Sequence, residues 1–142
     1  MTKTVRLGLI GFGNVGQGLA QILKESHADY LSTYGLDFQI TAISDALKGN
    51  LYDPRGLDAA TLLEEIADGG DFKGTPAEIP GWDALTMIRE SNADVIVEMS
   101  YTDLKTGQPA TDHLREALKH KKHVVTTNKG PVALIYSELE AL

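Results

Sequence analysis

Gly11-Phe12-Gly13-Asn14-Val15-Gly16 is the first stretch of this chain whose residue types and spacing can do chemistry. A G-x-G-x-x-G pattern between an apolar run and an amphipathic one reads as a backbone turn that receives a diphosphate. Gly11 permits the tight bend, Gly13 leaves an anion room at the backbone, and Gly16 lets the helix lie close to the strand. The N–H groups around Asn14 and Val15 then face the anion, helped by the positive end of the helix dipole. A glycine-rich turn without a ligand is the plain alternative, and the strand-then-helix context counts against it. The expected companion is an acid closing the second strand. Asp45 is the candidate, 29 residues beyond Gly16, the extra length falling in HADYLSTYGLD. It can accept a ribose hydroxyl, or merely end a strand and start a turn. Asp45 points to NAD, whereas Lys48 and Arg55, nearby in sequence, can meet the 2′-phosphate of NADP. The pattern leaves NAD or NADP open.

Two further stretches follow apolar runs, EMSYTD and TTNKG. In an open parallel sheet, ligands lie beyond the carboxyl ends of the strands. Ser100, Tyr101 and Thr102 can therefore line a nicotinamide ribose, or form an ordinary polar turn. Lys129, between Asn128 and Gly130-Pro131, can bind a substrate oxygen, stabilise an alkoxide or move a proton. Its bland reading is a solvated loop lysine. Glu98, an acid inside an apolar strand, must pair locally or face the sheet edge. His27, His113, His120 and His123 lack metal-ligand spacing, so surface positions and no metal site are expected.

These residues need elements to position them. Val5–Ile10 is a short apolar run and reads as a buried strand. Val15, Leu19, Ile22 and Leu23 then make one face of a helix reaching about Tyr30 and stopped by Gly35. Phe38, Ile40, Ala42 and Ile43 give a second strand ending at Asp45. ALKGNLYDPRGLD and DFKGTPAEIPGW read as loops on either side of a short helix carrying Ala59, Leu62, Leu63 and Ile66. Asp83 is a candidate N-cap for a helix holding Leu85, Ile88 and Arg89. ADVIVEMS and HVVTT are strands. Between them, Pro109 opens a helix whose inner stripe is Leu114, Ala117 and Leu118 and whose cations, KHKKH, favour its C-terminal end. NKGPVALIYSELEAL turns into a last helix. Crossovers of this length allow parallel pairing, and near-continuous apolar strands require cover on both faces. The fold class is α/β, a doubly wound parallel sheet.

Composition sets the outer limits. The 142 residues are 42% hydrophobic, enough for one domain with a proper core, and show no repeat or low-complexity segment. There is no cysteine, which excludes disulfides, thiolate metal ligands and a cysteine nucleophile in these residues and fits a reducing compartment. No run approaches a membrane span, and no signal peptide is expected at the N-terminus. A net charge of −7 disfavours non-specific nucleic-acid binding, although backbone N–H groups can still hold one anion.

Taken together, GLIGFGNVGQGLA, AISD…YDPRGLD and VIVEMSYTDLKTGQPATDHLREALKHKKHVVTTNKGPVAL resemble the N-terminal half of homoserine dehydrogenase. The resemblance covers essentially the whole chain, and TTNKGPVA is its most specific part. It implies a Rossmann-type NAD(P)-binding domain of an enzyme interconverting L-homoserine and L-aspartate 4-semialdehyde. That reaction lies on the route to threonine, methionine and isoleucine, in the cytoplasm. By position, Phe12, Asn14 and Val15 would touch the cofactor through the glycine turn. Ser100 and Tyr101 would lie beside the nicotinamide, and Lys129 would act near both nicotinamide and substrate. The family continues into a substrate and dimerisation domain, so a homodimer is implied for the full length, and the piece alone is expected to turn over poorly. Aspartate-semialdehyde dehydrogenase has a similar first half, but its thioester chemistry needs a cysteine. A non-catalytic nucleotide-sensing module would use the same fold and glycine loop; it would not need a lysine in TTNKG.

Overall fold

The computed structural model describes residues 1–142, with only the backbone of Pro80. Four strands run parallel: β1 (Lys3–Ile10), β2 (Leu36–Asp45), β5 (Val95–Glu98) and β6 (His123–Thr126). Two short strands, β3 (Gly49–Tyr52) and β4 (Ile79–Pro80), extend the sheet antiparallel beyond β2. The spatial order is β4-β3-β2-β1-β5-β6. The doubly wound α/β sheet is therefore present, but it is mixed rather than wholly parallel. Both segments read as loops contain strand residues. Only Leu51 and Tyr52 of β3 are buried, and Pro54 and Gly56 follow, so local pattern is too short to announce a strand. Pairing of Ser44 with Asn50 and of Asp45 with Gly49 supplies what propensity lacks. Stacking of Tyr52 on Trp82, with ring centroids 4.7 Å apart, adds packing on the same side.

Successive side chains of a strand point to opposite faces. Leu7 and Leu9 of β1 join Ile43 of β2 in one core, closed by α1 (Asn14–Glu25) and α3 (Ala59–Gly69). Ile10 joins Ala42, Ile96 and Met87 in a second core on the other face. That face is covered by α4 (Ala84–Glu90) and α5 (Ala110–Lys119). The final helix is α6 (Lys129–Glu140). Asp83 caps α4 as expected, its Oδ1 accepting the Thr86 N–H at 2.8 Å. Between α1 and β2, the chain runs through a short turn, α2 (His27–Asp29), and a wider π-helical turn at Tyr30–Tyr34. Gly35 ends this stretch in the left-handed region at φ 65°.

The buried stripe of α1 differs from the one its apolar spacing predicts. Val15 and Ile22 are 55% and 51% exposed, whereas Gly16 and Ala20 are buried. A Cβ on Gly16 would stand 2.9 Å from the Gly11 carbonyl oxygen. The helix is turned so that its smallest residues meet the sheet, with Leu19 and Leu23 packing at the margin of the core.

The chain leaves β1 toward β2 on one side and returns to β5 on the other, so the connection order reverses beside β1. A crevice at the carboxyl ends of β1 and β5 follows from that topology. Phe12 anchors the turn after β1 from within the core. The ring is fully buried and meets Phe72 edge-on, with centroids 5.3 Å apart. Phe12→Ala is expected to cost about 3–5 kcal/mol of unfolding free energy, read from urea denaturation, because the cavity would open beneath the glycine turn.

Candidate functional site

Gly11 sets the shape of the cleft. Its φ is 90°, and a Cβ there would lie 2.7 Å from the Met99 carbonyl oxygen. The turn after β1 thus presses against the backbone after β5. Gly13, by contrast, has open space where a Cβ would be. It stands at the N-cap of α1, and no side chain caps that end. The first-turn N–H groups of a helix have no intrahelical partner, and together with the dipole they favour an anion. Asn14 and Val15, exposed at this end, belong to that first turn.

A cleft of about 560 Å³ opens here, lined among others by Gly11, Gly13, Asp45, Lys48, Ser100 and Tyr101. The structure therefore brings together these six residues, each of them singled out in sequence. Phe12, Asn14, Val15 and Gly16 do not line it. The Phe12 side chain points into the core, and its N–H is already donated to Asp45 Oδ2 at 2.7 Å. Arg55 also lies elsewhere: its guanidinium pairs with Asp53, Nη2 to Oδ2 at 2.8 Å. Of the two cations considered for a 2′-phosphate, only Lys48 borders the cleft.

Asp45 makes the turn that was one of its two readings. Its Oδ1 accepts the N–H groups of Leu47 at 2.9 Å and Lys48 at 2.8 Å, closing the β2–β3 connection. With Oδ2 on Phe12, the one carboxylate ties this connection to the glycine turn. Burial pushes the Asp45 carboxyl upward, but the Phe12, Lys48 and Leu47 N–H groups and the Lys48 charge outweigh it. They hold it below the ordinary 3.8.

Lys129 is exposed at the first residue of α6 and is not part of the cleft lining. It stands beyond the carboxyl end of β6, on the same sheet edge as the glycine turn. Two strand spacings, roughly 10 Å, separate β6 from β1. What joins these regions is a buried polar cluster that sequence reading did not assemble. Glu98, fully buried at the end of β5, accepts the Ser100 N–H at 2.7 Å and the Asn128 amide at 3.1 Å on Oε1. The Ser100 hydroxyl also donates to Oε1, and His113 Nδ1 hydrogen-bonds Oε2.

His113 is therefore not a surface histidine; it is 7% exposed and faces the strand. The signal was available in the pattern. His113 lies four residues before Ala117 and three after Ala110, on the buried stripe of the helix that follows β5. A buried acid in the strand and a histidine on the stripe of its crossover helix are natural partners. Leu118, expected on that stripe, is only half-buried.

Because the folded-state carboxyl of Asp45 is depressed, its contribution is complete above about pH 4 and fades as pH falls through the lowered value. Asp45→Asn should thus be less stable than the parent at pH 7, with the difference shrinking toward pH 3. Paired urea titrations at the two pH values check this.

Comparison with known proteins identifies the family. The family model for the NAD-binding domain of homoserine dehydrogenase matches residues 11–142. A homoserine dehydrogenase of Methanocaldococcus jannaschii is 40% identical over 131 residues, covering 92% of this chain and 38% of that protein. An NAD(+)-dependent homoserine dehydrogenase of Pseudomonas canavaninivorans is 41% identical over 141 residues, covering 96% of this chain and 39% of that protein. Among solved structures, a hyperthermophilic archaeal homoserine dehydrogenase mutant in complex with NADPH superposes with a TM-score of 0.79 at 25% identity. That match covers 96% of this chain and 40% of the other. The chain thus spans about two-fifths of the length of these relatives. With its glycine turn at the reversal of strand order and a family match reaching from Gly11 to the last residue, the chain belongs to the homoserine dehydrogenase family and carries its NAD-binding domain.

Proposed function

We propose that this chain is the cofactor-binding part of an oxidoreductase that interconverts L-homoserine and L-aspartate 4-semialdehyde with NAD or NADP. In this reading residues 1–142 are the NAD(P)-binding domain. A substrate and dimerisation domain completes the enzyme, which works as a homodimer in the cytoplasm. The reaction serves threonine, methionine and isoleucine biosynthesis, and the partner is a small molecule rather than a nucleic acid or a membrane. No helix among the described residues is long and apolar enough to cross a membrane.

One observation carries the reading: Gly13, at the uncapped start of α1, opens into a cleft shared with Asp45, Ser100 and Tyr101. A pyrophosphate fits this donor set, because Gly13 offers no side chain to exclude it and the α1 N-terminus offers unpaired N–H groups. Gly11, Phe12, Gly13, Asn14, Val15 and Gly16 form the cradle. Phe12 contributes through its buried ring, which fixes the turn, and Gly16 through close helix packing. Asp45 holds the turn and faces the ribose. Ser100 donates its hydroxyl proton to Glu98, so toward a ligand that oxygen acts as an acceptor. Tyr101, 82% exposed, forms the outer lip. When bound, a nicotinamide supplies the hydride chemistry. Lys129 is the catalytic residue of this proposal. Its ammonium binds the substrate oxygen, stabilises negative charge there and assists proton movement at that atom.

Titration with NADH and with NADPH, followed by nucleotide fluorescence, is expected to show saturable binding, and the tighter of the two identifies the cofactor. In the full-length protein, Lys129→Ala should lower kcat for homoserine oxidation by about 100-fold or more, while the NADH dissociation constant stays within about twofold. An unchanged kcat takes Lys129 out of the mechanism. Folded protein that binds neither nucleotide overturns the whole reading.

A further inference from the structure

The Glu98 cluster supplies no reacting group to the chemistry proposed above, yet it joins β5, the Ser100 loop, α5 and the β6–α6 turn. Its strand ends beside Ile10 of β1 and Thr126 of β6. Around it, the β6–α6 turn is stitched down four times. The Thr127 N–H donates to the Glu98 carbonyl oxygen at 3.1 Å. Thr126 Oγ1 accepts the Asn128 N–H at 2.9 Å. The two hydrogens of the Asn128 amide go to Glu98 Oε1 at 3.1 Å and to the Ser100 carbonyl oxygen at 2.9 Å.

Asn128 stands at the N-cap of α6 but does not cap it with its side chain. An N-cap asparagine ordinarily accepts from its own helix. This side chain instead donates across the sheet edge, to the strand and loop next door. The next residue is Lys129. A lysine side chain is long and flexible, so its aim depends on how firmly its own backbone is held. A carboxylate buried without partners would be costly; here it is saturated by donors from three separate segments, Ser100, His113 and Asn128.

We propose that Glu98 and Asn128 are positioning residues. The buried Glu98 carboxylate, through the Asn128 amide, locks the start of α6 to the Ser100 loop and so fixes the distance between Lys129 and the nicotinamide end of the cleft. This inference rests on the functional reading above. It assigns the asparagine of TTNKG a mechanical task distinct from that of the lysine. It also accounts for a buried acid at the end of an apolar strand: the carboxylate is an internal acceptor and does not contact substrate.

The test is a double-mutant cycle in the full-length protein. Asn128→Ala should lower kcat for homoserine oxidation by about 10- to 100-fold, the range expected when a reacting group is misplaced by about 1 Å. NADH affinity by fluorescence should change less than about threefold, because the glycine turn is untouched. In a Lys129→Ala background the same Asn128→Ala change should cost less than about threefold, since there is no longer a lysine to aim. Glu98→Gln, which keeps an acceptor for the Asn128 amide, should lose less kcat than Glu98→Ala; if Glu98→Ala does not fold, the Asn128 cycle decides alone. Full additivity of Asn128→Ala with Lys129→Ala, or a wild-type kcat in Asn128→Ala, overturns the proposal while leaving the functional reading intact. A parent protein that binds NADH but does not oxidise homoserine overturns the functional reading, and the inference with it.

Discussion

Backbone against backbone, with no side chain between, is the contact on which this molecule turns. Gly11 brings the bend after β1 so near Met99 that a Cβ would come within 2.7 Å of a carbonyl oxygen. Gly16 brings α1 equally near the same bend, its hypothetical Cβ 2.9 Å from the Gly11 oxygen. These two approaches make β1, β5 and α1 one rigid corner. The helix end that corner presents is uncapped, so its N–H groups face the cleft. Even the rotation of α1, with Val15 and Ile22 turned out and Gly16 and Ala20 turned in, follows from that closeness.

Two carboxylates flank the corner and hold its loops in the same way. Asp45 closes β2 and accepts three backbone N–H groups, one of them from the glycine turn itself. Glu98 closes β5 and accepts from Ser100 and Asn128, with His113 behind it. Each strand neighbouring β1 thus ends in an acid whose work is to gather donors. Such bonds are charge-assisted and stronger than neutral ones, and burial strengthens them further provided every donor is in place. A chain of net charge −7 can hold an anion under these conditions. The two acids are engaged internally, and the groups turned toward the cleft at the start of α1 are N–H groups.

The parallel half of the fold was legible because its strands are apolar enough to carry their own signal, even where the buried face of the following helix differs from its apolar spacing, as in α1. The hairpin extension was not, since β3 and β4 are held mostly by pairing to a neighbour rather than by their own residues. The glycine turn, Asp45, Ser100, Tyr101 and Lys129 stood out as types in motifs. Asp45 illustrates the limit of that approach. Both its readings were open on sequence, and only the coordinates show its oxygens occupied by Phe12, Leu47 and Lys48. His113 and Glu98 each looked odd or ordinary alone, and they acquire meaning only as a pair.

From residue order alone came the α/β class, the glycine turn and the family to which TTNKG points, because these depend on local spacing along one segment. Tertiary structure decided which face of α1 is buried, that Arg55 stands apart from the cleft while Lys48 borders it, and that Glu98 gathers His113, Ser100 and Asn128 into one cluster. The physical reason is separation in sequence. Glu98 and Asn128 are 30 residues apart and Phe12 and Asp45 are 33 apart, so nothing in either neighbourhood specifies the other. Only folding of the sheet, which sets strand ends side by side at roughly 5 Å spacing, makes them partners.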